Sequence, residues 1–388
     1  MSRLALDSES PERTCDGEPS VDDLLRTYRK ALADPAELFA AATRLRDTLK
    51  GRTITFSKKA FFNVVNLCSD TCTYCTYKSE PSQAKLSMMD TDATDAMIRA
   101  ARRCGCVEAL LVTGERPEAR YPQARDWLKR EGFSSTPEYL ADISERCLDA
   151  GLFPHTNAGN LKPAEMRLLA RTNASLGLML ESSSDRLGAD GMPHRLAPSK
   201  IPARRIGVLE EAGRLGIPMT TGILVGIGET AREAVESLLA IREVHRRHGH
   251  IQEVILQNFA PKLDTAMRGH PAAGGRPFMV LVALARVIMP HMNIQVPPNL
   301  SLHSYRGHIR AGINDWGGIS PLTPDYVNPE LPWPAIPDVE AGCRDMGYRL
   351  ACRFPVYPEF MHMADRRITD RMAAVSDGHG LVEEGRWR

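Results

Sequence analysis

The 388-residue sequence predicts an α/β fold: a full or nearly full (βα)8 barrel of the TIM type. Three observations carry that expectation. Eight short apolar runs alternate with amphipathic segments of helical period, the order of a parallel sheet whose crossovers are helices. No linker-like stretch and no repeat of solenoid period interrupts the series. Chemically unusual residues recur where those runs end, the face on which such barrels carry their chemistry. A doubly wound sheet is the rival architecture, but it usually needs fewer strands.

Residues 1–20 are polar and rich in Ser, Pro, Glu and Asp, and are read as a disordered tail. The folded unit is expected over 21–364, with a charged tail over 365–388 in which a short helix has room to form. The first strand is expected at Phe61–Leu67, running into a cysteine-bearing loop, and is followed by a helix over Asp92–Cys104. The second, Glu108–Val112, ends before Gly114-Glu115-Arg116, and its helix, Thr136–Ala150, stops at Gly151. The third, Leu152–Thr156, ends on His155-Thr156-Asn157, and the helix Ala164–Thr172 is entered through Pro163. The fourth, Ser175–Leu180, precedes Glu181-Ser182, and its helix Ala203–Leu215 has Gly213 and Gly216 as stops. The fifth, Met219–Val225, leads into Gly226-Ile227-Gly228-Glu229 and the helix Glu229–Arg247. The sixth, Glu253–Gln257, runs into Asn258 and is followed by the helix Phe278–Met289. Asn293–Val296 and a brief Gly312–Asp315 complete the series.

Composition narrows the function classes. Hydrophobic residues make up 43% and charged residues 25%, values of an ordinary globular protein with a sizeable core. Basic and acidic residues number 49 and 48, so there is no electrostatic reason to expect nucleic acid or an anionic membrane as partner. No apolar run approaches the roughly 20 residues that span a bilayer. The first 20 residues lack the apolar stretch of a secretion signal. Nine cysteines form no even framework of pairs, which argues against an exported disulfide scaffold and points to the cytosol.

Three of those cysteines, Cys68, Cys72 and Cys75, fall within eight residues at the spacing C-x3-C-x2-C. Three thiolates so placed can hold three corners of an iron–sulfur cube. A sealed electron-transfer cluster uses four cysteines, so one iron is left open to a ligand that is not protein. A structural zinc site is the competing reading, but it wants four ligands, and no second C-x2-C occurs. Cys104, Cys106, Cys147, Cys343 and Cys352 read as packing residues, and Cys15 lies in the N-terminal tail.

Tyr74 precedes the third cysteine, and C-x3-C-x-aromatic-C resembles the signature of the radical S-adenosylmethionine superfamily. The resemblance implies a [4Fe–4S] cluster on Cys68, Cys72 and Cys75 whose open iron chelates S-adenosylmethionine. One electron, from an external donor, then releases a 5′-deoxyadenosyl radical. By the same resemblance Gly114 and Glu115 stand where the methionine amino group is received. Gly226 and Gly228 belong to the element along the adenine, Arg205 is a candidate for the methionine carboxylate, and Glu181 or Ser182 for the ribose.

Longer segments narrow the resemblance. Gly114–Arg120, Pro154–Gly159, Gly177–Glu181, Thr220–Thr230, His250–Phe259 and above all Asp315–Glu330 resemble the CofG family, the deazaflavin-forming subunit of FO synthase, over about residues 52–360. That family implies a substrate made by a CofH-type radical enzyme, which joins a tyrosine-derived hydroxybenzyl unit to 5-amino-6-(D-ribitylamino)uracil. It implies cyclisation of this adduct, with loss of ammonia, to 7,8-didemethyl-8-hydroxy-5-deazariboflavin. A ribityl-uracil is uncharged and dense in hydrogen-bonding groups. Asn157, Gln257, Asn258 and Asn299 are expected to bind it through donors and acceptors rather than charges, with Trp316 for stacking. His155 or Asp315 is expected to move the protons that ammonia loss requires. Departures from the family pattern at Asn63–Asn66, Ser69, Thr73, Lys78 and Ser301–His308 leave the cluster assignment untouched but keep another tyrosine- or pyrimidine-derived substrate open; a non-catalytic iron–sulfur or zinc protein is the alternative from a different class.

Overall fold

The computed structural model describes residues 19–301 and 305–387. Cys15 and the N-terminal tail up to residue 18 lie outside the described residues, as does Leu302-His303-Ser304. The strands are β1 (Thr53–Val65), β2 (Glu108–Thr113), β3 (Phe153–Asn157), β4 (Ser175–Gly177), β5 (Met219–Val225), β6 (Ile251–Asn258), β7 (Asn293–Gln295), β8 (Asp315–Ile319) and β9 (Arg349–Cys352). The first eight pair in sequence order, all parallel, and β8 pairs back with β1 to close the barrel. Each crossover carries helix on the outside, as the apolar periodicity required. Helix starts are chemically marked: Asp90 caps Thr91–Arg103, Ser135 caps Thr136–Asp149, and Thr230 with Glu233 forms a capping box on Ala231–His248.

Two strands differ from expectation for reasons that matter at the site. β1 begins at Thr53 rather than Phe61, because Lys58 and Lys59 break the apolar run that sequence reading relies on. Lys59 is nonetheless buried in the barrel, its ammonium 2.8 Å from the Glu108 carboxylate directly across the ladder. β8 runs Asp315–Ile319 rather than Gly312–Asp315, so Asp315 opens the strand at the bottom of the barrel instead of closing it at the top. Its glycines hide it from propensity, yet packing requires them. A Cβ on Gly318 would lie 2.3 Å from the Lys59 stem, and one on Gly317 would lie 2.0 Å from the Gln295 amide.

A ninth strand and a floor were not foreseen. β9 pairs with the first residues of β1, Thr53–Phe56, below the stretch of β1 that pairs with β2. The chain then crosses the bottom of the barrel as Arg353–Tyr357, with Phe354 and Val356 fully buried. Ser175 and Gln252 both donate hydrogen bonds to the Pro355 carbonyl, at 2.6 and 3.1 Å. Residues 365–387 are not a loose tail. The helix Arg366–Ala373 forms, Ile368 and Met372 are fully buried, and the Val382 amide bonds to the Cys352 carbonyl at 3.0 Å. Two further helices, Val21–Ala33 and Ala36–Lys50, precede the barrel. Buried Arg46 fastens the second to the approach to β8 through the carbonyls of Ile309 and Ile313. No described helix is long and apolar enough to cross a membrane.

Candidate active site

The cysteine loop leaves the top of β1 and is held from two sides. On one side, Ser69 N–H bonds to the Glu115 carbonyl at 2.8 Å, and the Glu115 amide donates to Cys68 Sγ at 3.2 Å. Gly114 makes this approach feasible, since a Cβ there would lie 2.0 Å from the Leu67 carbonyl oxygen and 2.7 Å from Cys68 Cβ. On the other side, the Thr71 and Thr73 amides bond to the carbonyls of Leu196 and Pro193, and Ser199 donates to Asp70 through its amide and its hydroxyl. Tyr74 reaches His194, hydroxyl to Nε2 at 2.9 Å, with the rings edge to face.

Cys68, Cys72 and Cys75 are all unpaired, half-buried and on the wall of one cavity of about 370 Å³ at the mouth and centre of the barrel. Among the described residues no three His, Cys, Asp or Glu side chains converge on a point that one metal ion could share. A cube presents three separate irons to three separate sulfurs, and three thiols on the wall of one cavity are such a donor set. Burial pushes the Cys68 thiol to about 11 and Cys72 to about 12. The remaining described cysteines pack as expected, Cys106, Cys147, Cys343 and Cys352 buried and Cys104 half-buried.

The residues expected around S-adenosylmethionine divide. Glu115 lines the cavity, and its carboxylate takes the Asn160 amide at 3.0 Å. Its neighbours Arg116 and Arg120 are engaged elsewhere, on Glu165 and on the Ser69 carbonyl, so Glu115 is in no ion pair among the described residues. Glu181 lines the cavity with a left-handed φ of 65° and pairs with Lys200 at 2.5 Å. Burial pushes its carboxyl up, but Lys200 and Arg205 outweigh that and hold it below the ordinary range. Arg205 reaches the cavity wall but spends its guanidinium on the carbonyls of Ser199 and Met179, bracing the segment that grips Asp70. Ser182 is buried behind the wall, accepting from the Ser184 amide. Gly226 and Gly228 also lie outside the cavity wall. They turn the chain at φ of 98° and 112° beneath the Glu229 carboxylate, which caps the Gly226 and Ile227 amides.

The interior expectations divide too. His155, Asn157, Gln257 and Asn258 line the cavity. Asn258 donates to the carbonyls of Ala273 and Leu300 and keeps its Oδ1 without a partner. Asn299 is one step back, donating to Asp325, which lines the cavity. Asp315 and Trp316 do not reach it. Asp315 is fully buried at the base of β8, taken by Arg353 at 2.7 and 3.0 Å, by Thr55 and by the Gly317 amide. Trp316 points outward between helices, edge-on to Tyr305 and donating to Cys343 Sγ.

In their place the structure brings in residues that sequence reading passed over. Trp333 lines the cavity, stacked on Phe61 with centroids 5.3 Å apart and planes 19° apart, its indole N–H fixed on the Thr323 carbonyl. Lys59–Glu108 and Arg353–Glu253 line the lower cavity as two buried ion pairs of 2.8 Å each. The interior therefore offers charges as well as neutral donors. Burial raises the Glu253 carboxyl to about 6 against the opposing pull of Arg353. The signal for Trp333 was present in the Trp-Pro segment after Asn328. The ion pairs had none, because their partners are up to 100 residues apart.

The radical SAM superfamily model matches residues 62–241. The chain is 42% identical over 332 residues to the 7,8-didemethyl-8-hydroxy-5-deazariboflavin synthase of Methanopyrus kandleri, covering 85% of this chain and 99% of that one. The chain belongs to the 7,8-didemethyl-8-hydroxy-5-deazariboflavin synthase family. It is also 43% identical over 364 residues to the FO synthase of Mycobacterium tuberculosis, spanning 88% of this chain but 42% of that longer protein. Among solved structures it resembles methylornithine synthase (TM-score 0.67, 17% identity, 87% of this chain and 95% of that one). It also resembles an FeFe-hydrogenase maturase from Carboxydothermus hydrogenoformans (TM-score 0.70, 17% identity, 90% and 86%). At that identity the two establish the barrel fold alone. Membership of the radical SAM superfamily implies a [4Fe–4S] cluster and S-adenosylmethionine, and the cysteine-walled cavity has the donor set for the cluster.

Proposed function

We propose that this protein cyclises the hydroxybenzyl adduct of 5-amino-6-(D-ribitylamino)uracil to 7,8-didemethyl-8-hydroxy-5-deazariboflavin with release of ammonia. The observation that carries the reading is a single cavity joining three cysteines to an aromatic platform and a polar interior. Cys68, Cys72 and Cys75 would hold the cluster, and Glu115 would face the ammonium of S-adenosylmethionine, a charge-assisted contact. Bound together, cluster and S-adenosylmethionine supply a deoxyadenosyl radical that removes a hydrogen atom from substrate.

The chain's own residues position and enclose. Glu181 and Lys200 together present an acceptor and a donor to ribose hydroxyls. Trp333 and Phe61 give a flat ring a face to stack on. Asn157, Gln257 and Asn258 offer amide groups to uracil and ribityl oxygens. The floor strap Arg353–Tyr357 closes the lower end of the barrel to water, which protects a radical from quenching. The adduct requires a separate carbon–carbon bond-forming enzyme of the CofH type, and the electron an external donor.

The test is anaerobic reconstitution followed by addition of the adduct, S-adenosylmethionine and reductant. Fluorescent deazaflavin and 5′-deoxyadenosine should form together, and Cys72→Ser should abolish both. Deoxyadenosine release without deazaflavin, in a mixture where a known synthase succeeds, would assign the scaffold to a different substrate.

A further inference from the structure

We propose that His155 accepts, at Nε2, the proton released in the ammonia-losing step, and that Ser175 and the Pro355 carbonyl hold it in the tautomer able to do so. The proposal rests on the deazaflavin-forming reading and deepens it.

The hydrogen-bond chain fixes the tautomer. A carbonyl only accepts, so the single hydrogen of the Ser175 hydroxyl is committed to Pro355 O at 2.6 Å. His155 Nδ1 lies 2.6 Å from the same hydroxyl oxygen. With the serine hydrogen spent, Nδ1 must carry the hydrogen and donate it. A neutral imidazole protonated at Nδ1 has its lone pair on Nε2. That nitrogen lies over Gly177, where a Cβ would stand 2.7 Å away, so the missing side chain leaves Nε2 uncovered. His155 and Gly177 both line the cavity.

The surroundings keep the resting ring neutral. Burial, opposed by Glu108 and joined by Lys59 and Arg353, pushes the imidazole down to about 4, so its Nε2 lone pair is free at pH 7. Glu108 from β2 faces the ring together with Lys59 of β1 and Arg353 of the floor, and its carboxylate favours the imidazolium once formed. The other candidate is excluded by position, since Asp315 does not line the cavity and both its oxygens are taken. The step balances without an oxidant. A substrate C–H or N–H proton passes to Nε2, and its bonding pair becomes a ring double bond. The C–N bond breaks with its pair on nitrogen, and that nitrogen takes the proton back from the imidazolium and leaves as ammonia.

Two measurements test this on the full chain. Nitrogen NMR of histidine-labelled protein reads the tautomer directly: wild type should show Nδ1–H at His155, and Ser175→Ala should mix the two forms. In reconstituted enzyme, His155→Gln should raise the ratio of deoxyadenosine released to deazaflavin formed by about 100-fold or more, the usual scale of a lost proton-transfer group. Gly177→Ala keeps the imidazole but covers Nε2, and gives the same readout if His155→Gln does not fold. An Nε2–H tautomer in wild type, or an unchanged ratio in both variants, overturns the proposal. Wild type that makes no deazaflavin at all overturns the functional reading and the proton transfer with it, and the tautomer measurement separates the two failures.

Discussion

Replacing Arg353 by methionine removes the cation that bridges Asp315 and Glu253 at the bottom of the barrel. The guanidinium is 2.7 and 3.0 Å from the two Asp315 oxygens and 2.8 Å from Glu253 Oε1, and Glu253 also takes the Tyr357 hydroxyl at 2.7 Å. Asp315 is 0% exposed and Glu253 3%, so water cannot replace the lost partner. Breaking a buried pair by removing one side costs about 3–5 kcal/mol. That is a large share of the roughly 5–15 kcal/mol by which folded proteins are stable. Glu253 gives the loss a pH signature. Its folded carboxyl is raised to about 6, above the unfolded value, so its contribution is full below the ordinary carboxyl range and falls as pH rises through about 6. Without Arg353 that window moves to higher pH, so the variant should lose more stability at pH 7 than at pH 5. Urea unfolding of both proteins at the two pH values measures this, and Arg353→Met with Glu253→Gln should recover part of the loss. A cost under about 1 kcal/mol, or an equal cost at both pH values, would show that the strap is held by packing rather than charge.

Gly114→Ala should lower the iron and sulfide bound per chain after reconstitution, because the new methyl meets the Leu67 carbonyl at 2.0 Å and displaces Cys68. Full cluster loading would refute that. Trp333→Ala removes the platform stacked on Phe61; at about 1–3 kcal/mol for stacking a base on an aromatic ring, the substrate KM should rise about 5- to 150-fold. An unchanged KM would place the flat ring elsewhere in the cavity.

The barrel was legible because most of its strands and helices state their period within a dozen residues. Glu108–Thr113, Met219–Val225 and Asn293–Gln295 fall where the apolar runs lie. The cysteine motif was legible for the same reason, being complete within eight residues. Failures came where local signals conflict with packing. Lys58 and Lys59 masked the first half of β1, and glycines masked β8, though both strands are required by their neighbours. Misplacing β8 then misassigned Asp315 and Trp316, because strand residues alternate faces and strand ends carry opposite roles.

By itself the sequence determined the order of the elements and the loop that can hold a cluster, since both are written in neighbouring residues. Only the tertiary structure decided what the cavity contains. Lys59 meets Glu108, Arg353 meets Asp315 and Glu253, and the Pro355 carbonyl sets the His155 ring through Ser175, 180 residues away. A barrel interior is assembled one or two side chains at a time from separate strands. Which of them meet is fixed by ladder register and by the floor strap, and neither is encoded in any local run of the chain.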